Sequence, residues 1–491
     1  MQDHPEQSPS TSSLFFSVFP SVMLPMFLAV VDQTIVSTAL PAIAANLGGV
    51  ERVSWVVVAY LVAGTIAAPV YGQLRDVYGG KPVMFLALGV FLVGSILCAV
   101  SVNVEMLALC RVLQGLGGGG LMTLSQALIG ETVPPRERAR YQGYLAGVMV
   151  TSSAFGPVVG GILTQYLGWR SVFLVNLPLV VIAGLLTLRV AYRLPRKRRW
   201  SFDVAGLALF VAFIIPVLLA LEQVQRMQGN ALATFALLMS IGLVALYALV
   251  QSERHAAYPL LPISLLRQPT IWRSDALAAA HGATLVSLIA FLPIYMRVVH
   301  GTSASKTGLL LLPLTFGIGT GSMLTGRIVS RTGFTAIFPS IGLILATGML
   351  LALTLLSNVL GLYTLAVMLF FTGLFMGTVM GVVQVTVQNA VGAESLGSAA
   401  ASVQLSRSIG AVGGTALVGT VLFAALALGD PQTAPLFEAL LGRGTLADPS
   451  LLASARLRAE IGAAFQAAFL TIAAFAATGM VLAWWIPARR L

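Results

Sequence analysis

About fourteen apolar stretches, each roughly 18–25 residues and so long enough to cross a bilayer as a helix, take up most of this chain. They lie near 16–41, 54–74, 82–102, 105–129, 141–165, 171–191, 204–221 and 231–251, then near 275–297, 307–328, 334–356, 359–387, 398–427 and 463–486. Hydrocarbon offers no partner to a peptide N–H or C=O, so a span must satisfy its backbone internally as a helix or close into a barrel. These runs are continuous rather than alternating, which selects helices and an all-α membrane protein. With 57% hydrophobic and 9% charged residues, a chain of 491 residues also lacks the polar groups to cover a soluble globule.

The formal charge of +11 sits in short segments between spans, not in a basic domain, which excludes a nucleic-acid partner. Arg75 and Lys81, then Arg136, Arg138 and Arg140, then Arg193, Arg196, Lys197, Arg198 and Arg199 fall on alternate loops. Arg254, Arg267, Arg273, Arg327, Arg331, Arg489 and Arg490 continue that side, whereas the opposite loops are poorer in Arg and Lys. The positive-inside rule then puts both termini in the cytoplasm. Met1 to Ser13 are polar and lack Lys and Arg, as expected of a retained tail. Cys98 and Cys110 lie in or beside spans, so neither a disulfide framework nor a thiolate metal site is expected, and no cofactor is called for. Trp484 and Trp485 read as an interfacial end to the last span, and the loop 428–462 reads as external, with a short amphipathic helix at Leu451–Ile461.

A weak repeat divides the chain. Gly72 to Gly79 after the second span resembles Gly326 to Gly333 after the tenth, with glycine at both ends of each copy. If the copies mark equivalent loops of two six-helix bundles, the organisation is a tail (1–15), an N-terminal bundle (16–191), and a basic loop with an inserted helix pair (192–270). A C-terminal bundle (271–491) then completes the chain. Repeated halves of this kind are a transporter layout.

Asp32 is the one carboxylate well inside a span. A charge at that depth costs roughly 2.5–3.5 kcal/mol on insertion scales, so it marks an ion, proton or substrate path and needs a partner. Arg111 in the fourth span is the natural one, the alternatives being a backbone carbonyl or a guanidinium snorkelling outward. The glycines after it match G-x-G-x-x-G at Gly115, Gly117 and Gly120, but no strand precedes them, and close helix packing explains them better than a dinucleotide. Gly143, Gly147, Gly156-Pro157 and Gly160-Gly161 make the fifth span tightly packing and deformable. Glu222, Asp275 and His281 are secondary proton-coupling candidates near span ends or, for His281, about two turns in. Phe27, Trp55, Tyr60, Gln114, Phe291 and Tyr295 are candidates for lining a substrate pocket.

In order and spacing these segments resemble the major facilitator superfamily, and within it the fourteen-span drug:proton antiporter branch. The likeness rests on Val31 to Pro41, the Gly72–Lys81 loop, Arg111–Gly117, Gly156-Pro157-x-x-Gly160-Gly161 and Trp169 to Pro178, and extends to Gln388-Asn389 and Gly397–Gly414. It implies two six-helix bundles plus the inserted pair, in a bacterial cytoplasmic membrane. It further implies export of lipophilic neutral or monocationic small molecules against protons by alternating access. Asp32 would be the protonatable carboxylate, Arg111 its buried cation, and Gly156 with Pro157 a hinge-like element. Gly72, Arg75, Asp76, Gly79 and Lys81 would form a cytoplasmic latch. This chain departs from the pattern at Val77, Gly80, Ser152 and Ser330. Membrane lipids are implied partners, and an efflux-system partner is left open. Dedicated export of a lipid, siderophore or other metabolite on the same fold is the alternative, with a non-transporting receptor or a membrane enzyme more remote. No H-E-x-x-H, paired aspartates, Cys-His combination or P-loop is present to support catalysis or ATP-driven pumping.

Overall fold

The computed structural model describes residues 11–48, 52–53, 55–189, 203–226, 231–256, 259–260, 263–302, 304–357, 360–429, 437, 455–487 and 490. Among these the chain is helical almost throughout, its extended structure limited to a single bridge between Phe334 and Arg490. In chain order the helices are α1 (Thr11–Leu47), α2 (Trp55–Tyr78), α3 (Gly80–Ala99), α4 (Val104–Thr132), α5 (Pro135–Leu167), α6 (Ser171–Leu174), α7 (Asn176–Leu188) and α8 (Val204–Arg226). There follow α9 (Ala231–His255), α10 (Ile263–Leu266), α11 (Pro269–Val298), α12 (Ala304–Thr332), α13 (Ile337–Leu356), α14 (Leu362–Ala390), α15 (Leu396–Gly429) and α16 (Ala455–Trp485). Thirteen candidate spans are long and apolar enough to cross a membrane among the described residues, one of them running through α6 and α7, and α8 contributes a shorter apolar stretch, Val204–Ala220. The expected count of about fourteen is met.

Helix ends differ from the apolar runs for a physical reason. A helix can continue past the hydrocarbon edge because its backbone still bonds to itself; thus α1 and α5 extend several residues beyond 16–41 and 141–165. The separate helix expected at Leu451–Ile461 is not separate. Residues 451–454 lie outside the described residues, and from Ala455 the chain runs unbroken into the last span. Nothing in that Ala-rich, proline-free sequence stops a helix. Trp484 and Trp485 end it, 50% and 60% exposed. The basic cluster Arg193–Arg199 and most of the loop 428–462 lie outside the described residues.

The repeat has a common backbone basis. Gly79 and Gly333 end α2 and α12 with φ of 87° and 73°, a region that strains any residue with a Cβ. Each N–H returns to the carbonyl four residues back, Gly79 to Arg75 and Gly333 to Val329. The identical spacing therefore encodes the same helix stop twice.

The chain forms two compact units: Met1–Tyr141, Thr151–Trp200 and Val391–Ala401 in one, Gln142–Val150, Ser201–Ala390 and Ser402–Leu491 in the other. The first has a core in which Val31, Ile35 and Val36 of α1 meet Val56, Cys98, Leu107 and Phe173. The second centres on Leu288, Tyr295, Leu314, Phe465 and Phe469. In the first unit α4 is drawn against its neighbours by its glycines: a methyl group on Gly117 would lie 2.5 Å from the Phe91 nitrogen, and one on Gly115 would strike the Tyr60 carbonyl. The G-x-G-x-x-G spacing thus serves helix contact, and this close approach sets Arg111 and Gln114 deep in the unit.

Candidate functional site

Asp32, Arg111 and Gln114 are all fully buried in the first unit. Arg111 Nη1 donates to Asp32 Oδ2 at 2.5 Å and to Gln114 Oε1 at 2.7 Å, while its Nε donates to the Val56 carbonyl at 3.1 Å. The guanidinium carbon stands 4.1 Å from the centre of the Tyr60 ring, and the Tyr60 hydroxyl donates to the Ala29 carbonyl. Asp32 Oδ1 accepts from Gln114 Nε2 and from Asn176 Nδ2, each at 2.8 Å, and both amides also donate to Ser95 Oγ. All the bonds to Asp32 come from donors, the pattern of an ionised carboxylate.

Such a pair survives burial only when geometry and additional hydrogen bonds offset the loss of water. Here Asp32 has them on both oxygens. Arg111 is less complete, because its Nη2 is buried without a partner. Protonating Asp32 would cancel its attraction for Arg111 and leave a buried guanidinium held by a carbonyl, an amide oxygen and a ring. Proton occupancy therefore changes the charge balance at the centre of the first unit.

The fifth-span motif lies directly on the helix that carries Asp32. A methyl group on Gly156 would collide with Thr34 Oγ1 and lie 2.8 Å from Thr34 Cβ; on Gly160 it would meet Thr38 Oγ1 and come within 2.7 Å of the Ile35 carbonyl. Gly161 faces open space, and Pro157 sits inside α5. Gly156 and Gly160 thus set the α1–α5 approach at residues two to six positions after Asp32.

Asp76 occupies a second polar node. Its carboxylate accepts from Gly397 N at 2.8 Å, Ser398 N at 2.9 Å and Ser398 Oγ at 2.8 Å, at the start of α15, as well as from Arg75. A carboxylate on free N–H groups at a helix start is favourable on both hydrogen-bonding and dipole grounds. Arg75 also pairs with Glu131 at 2.7 Å and is itself buried. Gly72 packs its backbone on Gly397, and Lys81 donates to the Leu188 carbonyl.

Other expected residues are placed differently. Tyr60 and Gln114 belong to the Asp32 node rather than to a pocket wall. Tyr295 is fully buried, its hydroxyl donating to the Ser357 carbonyl and its ring edge-on to Phe465 and Phe469, with Phe291 in the same core. Both are packing residues, as an apolar core recruits large rings first. Phe27 packs on the first unit's core, and Trp55 is 40% exposed. His281 donates through Nε2 to the Met376 carbonyl, Asp275 accepts from Ser402 at 3.4 Å, and Asp203 caps α8 by accepting from Gly206 N. Glu222 lies on α8, its side chain outside the described residues. Sequence reasoning passed over Asn176, Ser95 and Arg407. An Asn inside an apolar span was a usable signal; a Ser was not, because it costs little there.

Residues 22–415 match the model of the Major Facilitator Superfamily. The chain belongs to that superfamily. An MFS-type transporter of Mycobacterium tuberculosis is 34% identical over 82% of this chain, which spans 59% of that relative's length. The multidrug transporter protein MdtP of Bacillus subtilis is 30% identical over 82% of this chain and 74% of its own. A solved major facilitator protein, the proton:xylose symporter XylE, superposes with a TM-score of 0.64 at 15% identity, covering 98% of each chain, a likeness of fold. As a major facilitator protein, the chain is a multi-pass membrane protein of a transporter family, with its buried Asp–Arg node in the first unit.

Proposed function

We propose that this protein exports lipophilic, drug-sized molecules in exchange for protons by alternating access, with Asp32 as proton carrier and Arg111 as its switchable partner. The observation that carries this reading is the fully buried Asp32–Arg111 pair, bonded on both carboxylate oxygens and two residues along α1 from the Gly156–Thr34 contact. A proton arriving at Asp32 releases Arg111, and the adjacent α1–α5 approach is positioned to feel the change. The name of MdtP, a multidrug transporter, supports a broad cargo rather than one metabolite. A cationic drug would find no free carboxylate at Asp32, whose oxygens are taken by Arg111, Gln114 and Asn176, so this node does not favour the monocationic class. Each proton moved inward contributes about 2.3 kcal/mol per 100 mV.

In this reading both termini lie in the cytoplasm of a bacterial cell and the Asp76 node holds one end state. The test is proton release from acidified inside-out vesicles on adding a panel of neutral, anionic and cationic lipophilic compounds, with Asp32→Asn as comparison. Release by several unrelated compounds, lost in the variant while insertion is retained, is expected. Release by one compound alone would favour a dedicated metabolite exporter, and undiminished release in the variant would move coupling away from Asp32.

A further inference from the structure

Arg407 lies within α15, about 17 Å along the helix from its first residue at 1.5 Å per residue. It is only partly buried. No carboxylate pairs with its guanidinium among the described residues, and none of its nitrogens makes a hydrogen bond there. Its stem points inward, not to lipid: a methyl group on Gly282 of α11 would come within 3.2 Å of Arg407 Cγ, so the arginine lies over a position kept bare by glycine. The neighbouring His281 ring, 3% exposed, is within electrostatic reach of the guanidinium. The two helices stay in backbone contact above this point, with Gly410 against Ala279 and Gly414 against Ala283.

Two more groups on this face are incomplete. His281 uses Nε2 at the Met376 carbonyl, which assigns the proton to Nε2 and leaves Nδ1 a buried acceptor without a donor. Gln404 precedes Arg407 by three residues, on the same helix face, and its buried Oε1 is also unmatched. The nearest acid along α11, Asp275, bonds Ser402 rather than Arg407. A guanidinium inside a membrane protein is expensive unless something answers its charge, and here the protein does not.

We propose that Arg407 is a substrate-binding residue that receives an anionic group of the cargo, a carboxylate or sulfonate, with His281 Nδ1 and Gln404 Oε1 accepting from a hydrogen-bond donor on the same molecule. The cargo class this selects is the lipophilic organic acid carrying a nearby N–H or O–H. The inference rests on the export reading only for calling the ligand cargo; the site itself is tested by binding.

Two probes separate the charge from the hydrophobic body. 1-Anilinonaphthalene-8-sulfonate and N-phenyl-1-naphthylamine share a ring system and an N–H and differ by the sulfonate. Binding of each to the full chain in lipid nanodiscs, corrected with empty nanodiscs, is measured for the parent, R407Q and R407K. A charge-assisted hydrogen-bond pair supplies on the order of 10- to 100-fold in affinity. The ratio of sulfonate to uncharged affinity should therefore fall by at least about tenfold in R407Q. It should fall less in R407K, which keeps the charge but not the guanidinium fork, while the uncharged probe binds all three proteins alike. An unchanged ratio in both variants overturns the proposal. Misfolding lowers both affinities together, and R407K then decides by its ratio. Absent proton release with an intact R407-dependent ratio would overturn export but not the site; proton release with an unchanged ratio would do the reverse.

Discussion

The two units bury their charges in opposite ways. In the first, Asp32 and Arg111 are both at 0% exposure and answer each other, with Gln114, Asn176 and Ser95 completing the shell. In the second, Arg407, His281 and Gln404 sit close together with donor or acceptor capacity unspent. Asp32, with both oxygens taken, has nothing left to offer a ligand, and Arg111 keeps one unmatched nitrogen, Nη2; the node's main way to change is to gain or lose a proton, which fits a switch. An unsaturated one is incomplete until something binds, which fits a receptor for cargo. Under the proposed function, the contrast gives energy coupling and molecular recognition to different units of the same chain.

The largest effect that would break this contrast is on stability. Truncating one member of a buried ion pair leaves the other uncompensated and costs about 3–5 kcal/mol. Arg111→Leu should therefore lower the Tm of the purified protein sharply, and Asp32→Leu similarly. The double variant should be more stable than the two losses summed, because the stranded charge is gone. Additive losses in that cycle would mean that the pair is not coupled and that the node is not a switch.

Next come the α1–α5 contacts. Overpacking costs about 1–3 kcal/mol, so Gly156→Ala and Gly160→Ala should each impair proton-linked transport with insertion retained. Their rescue should differ. At Gly156 the atoms closer than 3 Å are Oγ1 and Cβ of Thr34, so Thr34→Gly removes both; at Gly160 the Ile35 carbonyl remains in the way after Thr38→Gly. Restored transport in G156A/T34G but not in G160A/T38G is the expected result, and equal rescue of both would mean that side-chain crowding alone is at work.

Much of this was legible in the chain. Asp32 and Arg111 stand out because a full charge in an apolar run has so few physical excuses, and the Gly79 and Gly333 stops are visible because a left-handed helix end asks for glycine. The partners were harder to read. Ser95 is neutral and inexpensive in a span and announced nothing; Asn176, an amide inside an apolar span, was a usable signal, but nothing in it said that it reaches Asp32 from another helix. Arg407 carries the same signal as Arg111, but its setting of Ser and Gly residues lowers the hydropathy contrast that makes a buried charge conspicuous. The aromatic residues misled for the converse reason: Phe291 and Tyr295 look alike in sequence whether they line a cavity or fill a core, and only their neighbours Phe465 and Phe469 decide. Helix ends escaped because hydropathy records where lipid stops, not where the backbone stops bonding to itself.

A smaller effect belongs to Asp76. Its carboxylate meets two N–H groups and one hydroxyl at the start of α15, so Asp76→Ala should cost about 1–2 kcal/mol in lost hydrogen bonds and helix-end charge. The expected signature is a modest fall in Tm with faster hydrogen exchange confined to the first turn of α15. Protection unchanged there would remove Asp76 from any latch.

The smallest effect is the most discriminating, because its sign differs from that of Arg111. Nothing in the protein is stranded when Arg407 is removed, and an unanswered charge leaves the membrane interior. R407Q should therefore keep its stability within about 0.5 kcal/mol of the parent or exceed it, in the same assay where Arg111→Leu collapses. Residues selected for binding commonly sit at a local cost to the fold, so a stabilised R407Q with a weakened hold on the sulfonate probe is the pairing expected of a recognition site. If R407Q instead loses as much stability as the Arg111 variant, the second unit's arginine is structural, and the division of labour between the two units fails with it.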